Sequence, residues 1–488
     1  MNNRIMIIGI DSLEYSFISK LIEQGYSRGF ILFKESGSIL PLKSTFPPDT
    51  LLAWPTIYTG LLANRFGLKP EPEDIHILKE ESIKIRNKLK GKTFWDIASR
   101  KRKKVLIINP IFGYPPWEVR GIMVSGPCFG LKGKTLSCPH LEYLTKYELG
   151  TYGKSPLLPH EYKLVWNDAI DKLVTLFQLA YRIINEDLYD IVFFADYTLD
   201  RIQHYFWNFG KSNDILQFIY GNKFRDAIMN YYRLLDFLIY WLIRKFEDEY
   251  IFVVLGDHGH KERPHTLIAL DDILNQHCNN LNLKEMIKHI SYTFLHYSRL
   301  SNISYYFVKK MQEKGYIGKL IKKHKISNNT CKLFIETLTE FGLKEYVAIR
   351  VTAITNKYLK DKILNKLSEI LTRSGLAEFA ITPSQYYEIL EQLDVNADLF
   401  IKLIDGIGNM QSMGSFKCIP NYTRSIISGG HAMYSSFMIY GANQRFKALA
   451  PIIRVQDVGP SMLGISGINV DELSFDGIKV IEECMMSH

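Results

Sequence analysis

The sequence predicts an α/β protein: an open sheet with helices on both faces and a mostly helical insertion. Three observations in the chain predict the open sheet. Apolar runs of strand length recur, helical patterns lie between them, and acid and imidazole residues stand just beyond several run ends. Arg4 to Ile10 is the first run, followed by Val105 to Asn109, Ile191 to Ala195, Ile251 to Leu255 and Phe437 to Tyr440. Each reads as a buried parallel strand. Ser16 to Gln24 and Asp168 to Asn185 read as helices between them. Cys138 to Lys163, rich in Pro, Tyr and Gly, reads as a long loop.

Residues 1–276 and 426–488 form the expected catalytic core, and 277–425 a helical insertion or cap near the site. Asn356 to Thr372 and Ser384 to Leu393 carry its helical pattern. The chain has 488 residues, 47% hydrophobic and 13% aromatic, enough for a large core and unlike a disordered or fibrous chain. Six cysteines without a C-x-x-C pair suggest neither a zinc ribbon nor a disulfide framework. The formal charge is +9, clustered from Lys84 to Lys104 and from Arg299 to Lys325. Such a field attracts anions, and no aromatic-interleaved nucleic-acid motif accompanies it. The longest apolar run, Leu234 to Ile243, contains Asp236 and falls below the roughly 18 residues of a membrane span. No signal peptide is apparent, because cleavage behind Ile5 to Ile10 would discard Asp11. The expected location is cytoplasmic. The sequence leaves oligomeric state open.

In an open α/β sheet, ligands gather beyond the carboxyl ends of the strands. Asp11 follows the first run directly, and Asp257 and His258 follow the Ile251–Leu255 run almost directly. Asp200 and His204, four residues apart, face one way on a helix. His431 precedes a strand and is expected on a loop at the same edge. Gly256 and Gly259 give the Asp257-His258 turn backbone freedom. These three Asp and three His are enough for two divalent ions. Thr50 supplies a hydroxyl that a metal activates, and two metals with one such hydroxyl suit cleavage of a phosphate ester. Thr50 also suits a helix N-cap, with Pro55 moving the helix start toward Trp54. Ser44, Thr45 and Thr56 compete for the nucleophile's role. His260 and His265 lie close enough to touch the ligands or the substrate.

The ordered set Ile7-Ile8-Gly9-Ile10-Asp11, Thr50 to Thr59-Gly60, Asp200 to Trp207, Gly256-Asp257-His258-Gly259, His431 and Asp457-Val458-Gly459-Pro460 resembles the alkaline phosphatase superfamily. It is most similar to the type I phosphodiesterase/nucleotide pyrophosphatase branch and its predicted phosphohydrolase relatives. The resemblance extends from residue 4 to about residue 465 and is dense around the motifs. It implies that Asp11, Thr50, Asp257 and His258 hold one metal and that Asp200, His204 and His431 hold the other. It also implies a phosphothreonine at Thr50, metals that are most often zinc, and a small anionic phosphoester substrate. Phe66-Gly67 stands where many relatives carry His-Gly, and Gly256 where Ser or Thr is common; both departures bear on substrate class. Cys418-Ile419-Pro420-Asn421-Tyr422 lacks the arginine of a sulfatase motif, and Cys128 replaces the glycine that a P-loop needs before Gly133-Lys134-Thr135. A phosphomutase and a non-catalytic metal-binding protein are the alternatives to the hydrolase.

Overall fold

The computed structural model describes residues 3–68, 75–128, 131, 133–150, 161–210, 221–264, 266–270, 274, 332–337, 345–352, 354, 356–385, 397–409, 418–420 and 428–484. The chain divides into two compact units, 1–261 with 431–488, and 262–430.

The first unit is built on a nine-stranded sheet. Its strands include β1 (Ile5–Ile10), β2 (Ser38–Lys43), β3 (Val105–Ile108), β4 (Gly121–Ser125), β5 (Leu136–Cys138), β6 (Ile191–Asp196) and β7 (Ile251–Leu255). From one edge the order is Ile453–Arg454, β2, Tyr434–Tyr440, β7, β1, β6, β3, β4, β5. Strands β7, β1, β6, β3 and β4 run parallel. Every residue of β1, β3, β6 and β7 is buried, which is why these strands read as unbroken apolar runs. Helices Tyr15–Glu23 and Glu161–Glu186 fall where helices were expected.

Strand Tyr434–Tyr440 departs from the expectation of a parallel strand. It runs antiparallel to both β7 and β2. An apolar run specifies burial and not direction, so the sequence pattern was silent on this point. The reversal explains His431, since an antiparallel strand begins at the edge where its parallel neighbours end. Phe437 pairs with Leu255, and the Gly256 N–H donates to Ser436 O at 3.1 Å. His431 itself lies in a short strand, Gly429–Ala432, and not in a loop.

Helix Thr50–Thr59 starts at Thr50 and not near Trp54. Asp49 is its cap, accepting from Leu51 N–H at 2.7 Å, while Pro55 is held inside the helix.

In the second unit, the expected helix at Asn356–Thr372 appears as Lys357–Arg373, capped by Asn356. The described residues add a four-stranded antiparallel sheet, ordered Lys332–Thr337, Tyr346–Thr352, Leu399–Leu403, Ala377–Ile381. Leu364, Leu367 and Leu371 of the helix share a buried cluster with Val347, Ile349 and Ile401 of the sheet. Most of 384–393 and the 299–325 charge run lie outside the described residues. No helix among the described residues is long and apolar enough to cross a membrane.

Candidate metal centre

The ends of β1, β6 and β7 and the start of strand Tyr434–Tyr440 bring all seven predicted side chains together in two buried groups. Asp11, Asp257 and His258 form one group, with ligand atoms all within 4.8 Å of one another; Asp200, His204 and His431 form the other by the same measure. Thr50 Oγ1 lies 3.1 Å from His258 Nε2 and 3.5 Å from Asp11 Oδ1.

Asp11 leaves β1 beside β6, where its N–H donates to Asp196 O at 2.8 Å. Trp54, fully buried, donates from Nε1 to Asp11 Oδ2 at 3.3 Å. The Asp196 carboxylate fixes the start of helix Thr198–Phe206, which carries Asp200 and His204. It accepts from Thr198 N–H at 3.2 Å, and from the hydroxyls of Thr198 and Tyr231 at 2.7 Å each.

The turn after β7 shows why glycine flanks Asp257-His258. Neither Gly256 nor Gly259 has a positive φ, so the reason is room and not backbone freedom. A Cβ on Gly256 would stand 2.7 Å from Leu13 Cβ, and one on Gly259 would stand 2.0 Å from Tyr434 O.

Hydrogen bonds fix the imidazoles. His258 Nδ1 is 3.0 Å from Gly259 O, so this nitrogen carries the proton and donates it to the carbonyl. Nε2 lies 3.4 Å from Asp11 Oδ1 and 3.4 Å from Asp257 Oδ2. His431 Nδ1 is likewise 3.0 Å from Pro48 O, and its Nε2 lies 3.1 Å from His204 Nε2 and 3.5 Å from Asp200 Oδ1. Asp257 Oδ2 and Asp200 Oδ1 are buried and accept no hydrogen bond.

Burial, with Asp257 and Asp200 nearby, pushes the Asp11 carboxyl well above the usual range. Burial also raises Asp257. Burial alone would raise Asp200, but neighbouring His204, with His260, outweighs it and holds that carboxyl well below the usual range. Burial keeps His431 neutral and lowers His260 to about 3. Carboxylate oxygens and imidazole nitrogens gathered this closely form a donor set that fits divalent cations.

Two of the three competing hydroxyls are engaged elsewhere: Thr45 donates to Pro47 O at 2.9 Å and Thr56 to Leu52 O at 2.8 Å. Ser44 Oγ is buried without a hydrogen-bond partner. His265 lies outside the described residues. Sequence reasoning missed Ser12, Trp54 and Gln203, because ordinary residues near a strand end or inside a helix carry no signal of what they touch. His260 was within its reach through closeness to the Asp257-His258 turn.

Two acid–imidazole groups, one beside a hydroxyl, stand at the carboxyl edge of the parallel strands, an arrangement suited to metal-dependent cleavage of a phosphoester. A family model, "Type I phosphodiesterase / nucleotide pyrophosphatase", matches residues 5–330, more than half of the chain. The chain belongs to that family. His431 lies beyond the matched residues. No curated protein sequence matches the chain. Among solved structures, the chain is similar to murine ectonucleotide pyrophosphatase/phosphodiesterase 5, at 11% identity, 97% coverage of both chains and a TM-score of 0.47. An inactive variant of that murine protein in complex with AMP gives 11% identity, the same coverage and a TM-score of 0.48. The human counterpart gives 10%, again 97% of both chains, and 0.45.

Proposed function

We propose that this chain hydrolyses a phosphodiester or phosphomonoester with two divalent cations, most often zinc, and Thr50 as nucleophile. Asp11, Thr50, Asp257 and His258 hold one cation, and Asp200, His204 and His431 hold the other. One observation carries the reading: buried His258 Nε2 lies 3.4 Å from both Asp11 Oδ1 and Asp257 Oδ2, beside the Thr50 hydroxyl, an arrangement suited to a shared cation. The cations, when bound, lower the pKa of a hydroxyl and offset charge building on the phosphoryl oxygens.

The chain's own groups do the rest. Helix Thr50–Thr59 presents Thr50 as its first residue, where the positive end of the helix dipole favours an anion. Thr50 Oγ1 gives its proton to solvent water and bonds to phosphorus as the ester oxygen leaves on the opposite side and takes a proton back from solvent. Water then displaces Thr50 from the phosphothreonine, releasing phosphate or a monoester and restoring the hydroxyl.

The test is release of p-nitrophenol from bis-p-nitrophenyl phosphate by zinc-loaded protein, together with metal analysis. Thr50→Ala is expected to lose at least about a thousandfold in kcat while keeping both ions. Wild-type turnover by Thr50→Ala, or fewer than two ions in active protein, overturns the mechanism.

A further inference from the structure

Ser12 touches one acid–imidazole group directly and reaches the other through His260 and Gln203. Its N–H donates to Asp257 Oδ1 at 3.1 Å. Its Oγ lies 3.2 Å from Gly259 O and 2.7 Å from His260 Nδ1. His260 Nδ1 is in turn 3.5 Å from Asp200 Oδ1. The Ser12 carbonyl accepts from Gln203 Nε2 at 2.7 Å, and Gln203 shares the helix of Asp200 and His204. Ser12 is fully buried and His260 is 2% exposed. The hydroxyl has a single proton. Donated to Gly259 O, it leaves Oγ to accept from His260 Nδ1–H, the nitrogen that also faces the Asp200 carboxylate.

Ser12 makes these contacts from a left-handed backbone, φ 67°, a conformation uncommon outside glycine. Residues held in such regions gather at functional sites, where the surrounding contacts over-determine them. A glycine would relax the backbone but would lose the hydroxyl.

We propose that Ser12 and His260 are positioning residues that fix the Asp200–His204–His431 group relative to Asp257. The inference rests on the two-cation reading above. Partners behind the ligands orient them, and their loss weakens metal affinity about 10- to 100-fold.

The experiment is calorimetric titration of zinc into ion-free full-length protein, with thermal unfolding of the ion-free variants alongside. Wild type is expected to take up two ions. Ser12→Ala, Ser12→Gly and His260→Ala are expected to bind one of them about 10- to 100-fold more weakly. Ser12→Gly is expected to unfold no earlier than wild type, which separates lost positioning from lost folding. His260→Asn sets an amide nitrogen near the Nδ1 position and is expected to restore the affinity. His260→Gln extends its amide toward the Nε2 position and is expected not to. In a His204→Ala background, Ser12→Ala is expected to cost nothing further. Unchanged affinity for both ions in the Ser12 and His260 variants overturns the proposal, as does rescue by Gln but not Asn. Wild type that binds fewer than two ions overturns the two-cation reading itself, and this inference with it.

Discussion

A single methyl group at Gly9 tests whether the strand beneath Asp11 sets the geometry of the site. A Cβ there would stand 2.7 Å from Trp54 Cη2, 3.0 Å from Cζ3 and 3.2 Å from Ala195 Cβ. Carbon atoms pack at about 3.5–4.0 Å, so the indole must retreat by about 0.8 Å. It has nowhere to go. Trp54 is fully buried, with the rings of Tyr58, Tyr197 and Phe193 centred 5.8, 5.9 and 6.3 Å away. Overpacking of this kind costs about 1–3 kcal/mol. The bond from Trp54 Nε1 to Asp11 Oδ2, already 3.3 Å long, breaks under that displacement, at a further cost of about 1–2 kcal/mol. Gly9→Ala is therefore expected to lose about 2–5 kcal/mol of stability in urea unfolding of ion-free protein. It should also bind zinc about tenfold more weakly, because Asp11 loses its anchor. Trp54→Phe lacks Cη2 and Cζ3, so adding the methyl in that background is expected to cost less than about 1 kcal/mol. A Gly9→Ala variant within about 0.5 kcal/mol of wild type and with unchanged zinc affinity refutes the reasoning.

Asp11 and Asp257, raised by burial, hold protons that a cation must displace, so zinc affinity is expected to rise with pH through their titration. Calorimetry in buffers of different ionisation enthalpy would reveal the released protons, and a pH-independent affinity would contradict this. A carboxyl with a raised folded pKa binds more protons folded than unfolded. These two groups thus favour the ion-free fold in acid, and that contribution is lost as pH rises through their folded pKa. Thermal unfolding of ion-free protein across pH would isolate this contribution by comparison with Asp11→Asn. Asp236 accepts from Ser27 Oγ, Gly29 N–H and Phe30 N–H on Oδ1, and from Arg28 N–H on Oδ2, at 2.7–3.0 Å. Asp236→Ala is expected to lose about 3 kcal/mol in denaturant unfolding, and Asp236→Asn less.

The site was largely legible because its residues follow strands that are buried on both faces and so read as plain apolar runs. Asp11 and the Asp257-His258 pair stand at such run ends. Strand β2, with Pro41 and partly exposed positions, gave no such run. The direction of Tyr434–Tyr440 depends on which strands flank it, a fact of three dimensions absent from local pattern. The same holds for Trp54, whose indole N–H reaches Asp11 across 43 positions. In the second unit, Tyr346–Thr352 and Leu399–Leu403 are strands within a stretch expected to be helical, short apolar segments that local pattern alone does not assign to a sheet.

The antiparallel course of Tyr434–Tyr440 has a consequence for biosynthesis. A ribosome has made Asp11, Thr50, Asp200, His204, Asp257 and His258 long before it reaches His431. Until then the nascent sheet has an open seam between β2 and β7, and one imidazole is missing beside Asp200. Closing that seam and delivering that imidazole are one event. A prematurely terminated product therefore lacks a sheet strand and a metal donor together.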